Sequence, residues 1–251
     1  MLRLRVFALA ACVLAVGAFF VHAQDDGLKT VLTKAIAAHG GEKNLAKFKA
    51  VSSKFKGTID ILGNKSNCTG ESSFQKPDKI KNVLSLDLNG KQIDIVTVFD
   101  GKKMWVSAMG NSMEITDKKL LKEVREQLQT EGAGGLSDFL KAPYKLNALG
   151  EVKVKGKDAI GIRVSKEGQR DFSMFFDKKT HLIVKTEMRT LDGMTGQEVT
   201  QEKYILGYQD KGGIKVAKRV EIHKDGKSFM DIELTEVNAF ERFDDSVFAK
   251  P

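Results

Sequence analysis

Between Val51 and Val106, apolar and polar residues alternate in short runs separated by turn residues. Val51, Phe55, Ile59 and Ile61 alternate with Lys54, Lys56, Thr58 and Asp60. A period of two predicts a strand with one buried face. Gly63-Asn64 breaks this run, and a second passes through Cys68, Gly70, Ser72 and Phe74 to Lys76-Pro77-Asp78. A third places Ile80, Asn82, Leu84, Leu86 and Leu88 on one face. Asn89-Gly90 then gives a strong hairpin signal, because a type I′ turn needs positive φ at both central residues. The fourth run, Gln92 to Phe99, ends at Asp100-Gly101, and Met104-Trp105-Val106 opens a fifth. The pattern predicts an antiparallel meander.

Two helical patterns flank it. Leu28, Val31, Leu32, Ala35 and Ile36 recur at helical spacing, with Asp25 or Asp26 as a candidate cap and Gly40-Gly41 as the stop. Gly110-Asn111-Ser112 reads as a turn and Ile115 closes a small apolar patch. Asp117 is then a candidate N-cap for a charged helix through Leu120, Leu121, Val124 and Leu128. Gly132, Gly134 and Gly135 follow, then a helical turn over Leu136 to Leu140 stopped by Pro143. This helical insertion, about 116–142, is expected to be the mobile element of the chain.

Strands resume after Tyr144, over Lys145–Leu149, Val152–Lys155, Ala159–Ser165, Asp171–Phe176, Leu182–Thr190, Glu198–Tyr208, Ile214–His223 and Ser228–Ala239. Gly156, Gly168, Asp177 to Thr180, Asp192-Gly193, Gly212-Gly213 and Asp225-Gly226 separate them. Helices against a long antiparallel sheet predict an α+β fold, mainly β, with a strongly curved sheet.

The N-terminus changes the picture of where this fold resides. Arg3 and Arg5 precede an apolar run from Val6 to Val21, and Val21-His22-Ala23 carries small residues where a signal peptidase reads. The expectation is a signal peptide over 1–23, one exported domain over 24–251, and a periplasmic location. Leu9-Ala10-Ala11-Cys12 offers a competing lipobox reading with Cys12 lipidated, but the apolar run continues past that cysteine. Removing Arg3 and Arg5 with no acidic residue takes the net charge from +8 to +6. Lysines alternating with apolar residues suit the solvated face of a sheet, with attraction to an anionic membrane surface as the alternative. No basic cluster is interleaved with aromatics, so no nucleic-acid partner is expected. Cys68 is the one cysteine beyond the leader, which precludes an intramolecular disulfide in the processed chain.

No recognisable spacing sets a nucleophile beside a base and an orienting group, so the expectation is binding, without catalysis or cofactor. Gly150 to Asp158 reads as a turn between strands, since Asp158 stands where a phosphate loop needs Ser or Thr. His39 falls at a helix C-terminus, where its charged form would favour the dipole. His181 and His223 lie near strand ends, with no spacing that suggests a metal site. An apolar surplus remains. Phe172, Met174 and Phe176 share one strand face while Phe175 points to the other. Such strands either sit between sheet and helices as core or line a cavity on the concave face.

Several short motifs are more specific in their order than singly. Ala38-His39-Gly40-Gly41, then Leu45 and a strand, precede Phe74-x-x-Pro77-Asp78-Lys79. Val98 to Trp105, Phe176-Asp177 with Leu182 and Lys185, and a terminal Phe248-x-x-Pro251 follow. In this order the chain resembles the exported bacterial outer-membrane lipoprotein-sorting proteins. That resemblance implies a LolA/LolB-like fold, an unclosed antiparallel half-barrel whose helices cap the concave face and whose cavity holds acyl chains. It implies a carrier for envelope lipids or lipoproteins, monomeric, with partners among envelope membrane proteins. The alternative is a stress-sensor or scaffold domain of the same fold that binds a protein without moving cargo. The residues expected to line the cavity are Phe55, Ile59, Phe74, Leu84, Leu86, Ile95, Met104, Trp105, Met174 and Phe176. Flexible thioethers and broad rings suit a disordered chain.

Overall fold

A computed structural model of the protein describes residues 14–61, 63–88, 90–131, 135–193 and 195–251. The lipobox cysteine and the basic start of the expected leader lie outside the described residues. Helix α1 (Leu14–Ala38) runs past Asp26 without interruption, so the expected cap there is not formed in the full chain. The helix stops where Gly40 (φ 121°) and Gly41 (φ 81°) take left-handed conformations, and α2 (Gly41–Lys47) follows. Among the described residues no helix is long and apolar enough to cross a membrane.

Six strands then follow in chain order: β1 (Ala50–Ile61), β2 (Asn64–Gln75), β3 (Lys79–Leu88), β4 (Lys91–Phe99), β5 (Met104–Ala108) and β6 (Asn111–Ile115). Each pairs antiparallel with the next. The turn between β5 and β6 is Met109-Gly110, both at positive φ, so Asn111 and Ser112 begin a sixth strand where a turn was expected. Helices α3 (Lys118–Gln129) and α4 (Leu136–Phe139) come next. Asp117 caps α3 as its position predicts, its carboxylate accepting from the backbone N–H of Lys119 and Leu120.

The second half contains β7 (Lys145–Val154), β8 (Lys157–Ser165), β9 (Phe172–Asp177), β10 (Ile183–Leu191) and β11 (Glu198–Ile205). After these come β12 (Tyr208–Lys211), β13 (Ile214–Ala217), β14 (Arg219–Lys224) and β15 (Lys227–Phe240). The two expected runs Lys145–Leu149 and Val152–Lys155 are one strand interrupted by a bulge at Gly150. The opposite happens at Glu198–Tyr208 and Ile214–His223, each of which is split in two. Gly207 (φ 136°) turns β12 out of the main sheet, and β12 and β13 form a separate hairpin.

The main sheet has thirteen strands in the order β6-β5-β4-β3-β2-β1-β15-β14-β11-β10-β9-β8-β7. The two meanders are thus joined by the long pairing of β1 with β15, and β6 and β7 remain as edges. The sheet is curved and does not close into a barrel.

Its faces are occupied unequally. On the β8–β10 side, Leu28, Leu32, Ala35 and Ile36 of α1 pack with Phe139 on Ile162, Val164, Phe172, Met174 and Phe176. Phe175 points to the other face, against Val154, Ala159 and Val184. On that outer face of the first meander, Trp105 and Val98 are covered by Phe248 of a C-terminal 3-10 turn (Asp245–Phe248). Lys79 pairs with Asp245 at 2.8 Å, and Phe243 N–H donates to Gln75 Oε1 at 2.7 Å, which holds the C-terminus there. Many outer-face lysines and arginines are neutralised across strands, as in Lys54–Glu236, Lys155–Glu221 and Arg219–Asp231.

Candidate functional site

The concave face of the first meander is not covered by α1, and its register shows which side chains share it. Val51 is opposite Phe74, Phe55 opposite Gly70, Leu84 opposite Ile95, and Ile80 opposite Phe99. Across β1 the same face continues through Leu234 and Ile232 to Val220 and Ile205. These residues line a cavity of about 560 Å³, within the range of roughly 300–1,000 Å³ usual for ligand pockets. Its floor holds Val51, Phe55, Phe74, Ile80, Leu84, Ile95, Ile205, Val220, Ile222, Met230, Ile232 and Leu234. The Phe55 ring lies over Gly70, where a Cβ would come within 2.4 Å of it, so that position needs the absent side chain.

Three elements wall the cavity. The β12–β13 hairpin contributes Tyr208, Ile214, Lys215 and Val216. It is pinned to the chain just after α1, where Lys215 N–H donates to His39 O at 3.0 Å, and to β10, where Tyr208 O–H donates to Ile183 O at 2.7 Å. A Cβ on Gly40 would lie 2.2 Å from Gly213 O, so this contact also requires glycine. Helix α2 and the chain after it contribute Leu45, Phe48 and Lys49, and the end of α3 contributes Thr130 and Glu131.

Helix α3 is held across the sheet by polar contacts rather than by a greasy face. Arg125 donates to Asp78 Oδ2 at 3.2 Å and to Gly101 O at 2.8 Å, joining the Pro77-Asp78 and Asp100-Gly101 turns of the first meander. On the second meander, Arg170 Nε donates to the buried Glu123 at 3.1 Å, and its Nη2 donates to Glu198 at 2.7 Å. Leu191 N–H and Arg170 N–H donate to Glu123 and Glu126. Leu120, Leu121 and Val124 are only half-buried, because the turn that faces the sheet is occupied by these carboxylates. Of the three glycines that follow α3, Gly132 and Gly134 lie outside the described residues, and Gly135 begins α4 with an ordinary φ of −88°.

His39 is 1% exposed, and burial pushes its pKa below the usual histidine range despite its bond to the Ala35 carbonyl. Its Nδ1 donates to Ala35 O at 2.8 Å, and its ring meets Tyr208 edge-on. The expected charged, dipole-stabilising histidine is therefore corrected to a neutral one in the cavity wall.

Among the described residues, the charged side chains in the lining are four lysines, Lys49, Lys76, Lys203 and Lys215, against one glutamate, Glu131. Lys203 pairs with Glu131 and Lys215 with Asp210. Lys76 is partly buried, and its Nζ lies 3.5 Å from Leu45 O. Desolvation lowers its pKa, Asp138 opposes that shift and Lys49 adds to it.

Of the ten residues expected to line the cavity, Phe55, Phe74, Leu84 and Ile95 do so. The other six lie outside its lining. Ile59 and Leu86 pack on Cys68 in a satellite core at the far end of the same face. Met104 is on that face but nearer the sheet edge, between Phe99 and Ile115. Met174 and Phe176 are sealed beneath α1, and Trp105 is on the opposite face under Phe248. Ile205, Val220, Ile222, Ile232 and Leu234 were not anticipated. Their alternation marks buried faces, but only the β1–β15 pairing sets those faces beside the first meander.

The sequence matches no protein-family model and no curated protein. Solved structures do share its architecture. A DUF1329 family protein from Desulfovibrio piger is 14% identical, covers 88% of this chain and 96% of its own, and superposes with a TM-score of 0.57. An outer-membrane lipoprotein-sorting protein domain from Vibrio parahaemolyticus is 11% identical over 88% and 95% of the two chains, with a TM-score of 0.55. A LolA superfamily protein from Nitrosomonas europaea is also 11% identical, over 88% and 96%, with a TM-score of 0.50. The chain therefore has the fold of the LolA superfamily and outer-membrane lipoprotein-sorting proteins, an open, curved antiparallel sheet with helices on its concave side.

Proposed function

We propose that this is an exported binding protein that holds acyl chains of lipids or lipoproteins in its concave cavity, acting by binding and carrying rather than by catalysis. The observation that supports this is the apolar trough of about 560 Å³ built from both meanders and left uncovered by α1. Its length is about twice that of one acyl chain, so a whole chain fits along it. Lys49 flanks Ala50 at the start of β1, whereas Lys203 is level with Ile222, Met230 and hence Ile59, nine residues further along. At about 3.3 Å per residue the two ends are roughly 30 Å apart along β1. One acyl chain spans about half of a ~30 Å hydrocarbon core. Burial of each methylene is worth about 0.8 kcal/mol, so some 14 of them give on the order of 11 kcal/mol before ordering costs. A site of this kind needs shape and greasiness more than polar anchors. The lipoprotein-sorting name borne by a protein of the same fold adds to the reading.

Mass spectrometry of lipid extracted from the purified protein, with titration of a fluorescent fatty acid, tests it. Bound lipid and saturable binding are expected. A folded protein that retains no lipid and gives no saturable titration refutes the carrier reading, and recovery of one specific envelope protein instead would replace it with a partner-binding role.

A further inference from the structure

The floor of the trough is crossed by a polar row. Ser53 of β1 is opposite Ser72 of β2, Ser72 is opposite Asn82 of β3, and Asn82 is opposite Thr97 of β4. All four side chains line the cavity. With strands about 4.8 Å apart, the row runs roughly 14 Å across the sheet. The next inward-facing row on one side is Val51, Phe74 and Ile80, and on the other side it is Phe55, Leu84 and Ile95. A band of hydroxyl and amide groups without charge therefore lies between two apolar bands. Each of the four residues is half-buried, and among the described residues none of their side chains has a hydrogen-bond partner. On the opposite face of the same strands, by contrast, the Ser85 hydroxyl donates to Asp94 at 2.6 Å.

We propose that the row Ser53–Ser72–Asn82–Thr97 receives a neutral carbonyl group, an ester or an amide, that joins two apolar arms of the bound lipid. This rests on the acyl-chain reading above and specifies which class of lipid the trough selects. Serine and threonine hydroxyls and the asparagine amide all donate to a carbonyl oxygen. A plain hydrocarbon laid over the row takes water from four polar side chains and returns no hydrogen bond, whereas a carbonyl at that depth restores at least one. A carboxylate gains less there, because the row holds no cation to offset its desolvation. The position of the row fixes the arms. Ser53 lies three residues past Ala50 and six before Ile59, the two levels that mark the ends of the trough. At about 3.3 Å per residue these arms are roughly 10 and 20 Å long. The longer takes one whole acyl chain, which spans about half of a ~30 Å hydrocarbon core, and the shorter takes a short second chain.

The test displaces a bound fluorescent fatty acid from the full-length protein with hexadecyl hexanoate and with tricosane, a hydrocarbon of the same backbone length, each delivered from cyclodextrin. The ester should bind about tenfold more tightly, the scale of one or two neutral hydrogen bonds. Asn82→Leu, Thr97→Val and Ser72→Ala should each reduce that advantage while leaving tricosane binding equal or stronger. Thr97→Val and Ser72→Ala change little volume and carry the comparison if Asn82→Leu folds poorly. Infrared spectra of the ester labelled with carbon-13 at its carbonyl give a direct reading. The carbonyl band should fall in frequency on binding and move back toward its hydrocarbon-solvent position in the variants. Equal displacement by ester and tricosane overturns the carbonyl site and leaves the acyl-chain reading standing. A bound carbonyl band at its hydrocarbon-solvent position, or an ester advantage of the same size in all three variants, also overturns the assignment to this row. A folded protein that binds neither these compounds nor the fluorescent fatty acid overturns both readings.

Discussion

Phe74 and Phe176 are both aromatic residues on sheet faces, and they separate a ligand cavity from a packed core. Phe176 is 1% exposed and enclosed by α1 and its neighbouring strands. A buried phenylalanine covers roughly 150–250 Å², or about 4–6 kcal/mol at ~25 cal/mol/Å². After allowance for the alanine that remains, Phe176→Ala is expected to cost about 3–5 kcal/mol, since the surrounding core collapses only partly into the void. For a chain of this size that lowers Tm by roughly 10 °C. Phe74 is only partly buried, and one side of its ring faces an existing cavity. Its removal opens little new void, so Phe74→Ala should cost about 1–2 kcal/mol in stability. It should weaken fatty-acid binding by about tenfold through lost apolar contact. Phe176→Ala, measured well below its Tm, should bind normally. Urea unfolding and fluorescent fatty-acid titration of the two variants give all four numbers. Equal destabilisation by both substitutions would show the trough to be packed core, and loss of binding in Phe176→Ala alone would place the binding surface elsewhere.

Arg170→Leu leaves the buried Glu123 without its cation and should destabilise the protein by about 3 kcal/mol in urea unfolding, whereas Arg189→Leu, on the exposed side of Glu198, should have little effect. Asp177→Ala removes an acceptor for Lys179 N–H, Thr180 N–H and the Thr180 hydroxyl, with an expected cost of about 1–3 kcal/mol. Burial raises the pKa of Asp177, but these hydrogen bonds outweigh it and the net shift is downward. Its stabilisation is therefore complete above the ordinary aspartate pKa of about 3.9 and is lost as pH falls through the lower folded value. The Asp177→Asn variant should show a shallower acid limb. His39 titrates in a different window: burial lowers its folded pKa, so the unfolded chain takes up the proton first and stability falls as pH drops below about 6.5. That limb should be absent from His39→Phe, and a wild-type protein equally stable at pH 7 and just above the aspartate range would contradict the neutral assignment.

The sequence by itself determines most of the strands, because residues alternating with period two can bury only one face of a pleated sheet. It also determines the cap at Asp117, the stop at Gly40-Gly41 and the opposed directions of Phe175 and Phe176, all of which depend on neighbours within a few residues. Alternation shows that a face is buried but carries no information about what covers it. Met174 and Phe74 are both expected on the inward face of the sheet, yet α1 seals one and leaves the other on an open trough. Trp105 fails for the related reason that the next residue and the previous one are both apolar, and only the return of Phe248 shows which face it occupies. The break at Gly207 escapes notice because Glu198–Tyr208 reads as one run, whereas the departing hairpin is held by Tyr208 and His39, which are 169 residues apart. The pairing of β1 with β15 joins the two ends of the folded chain and assembles the cavity from both meanders. Contacts at that separation are fixed by what the whole sheet and its helices can bury together, so only the tertiary structure decides them.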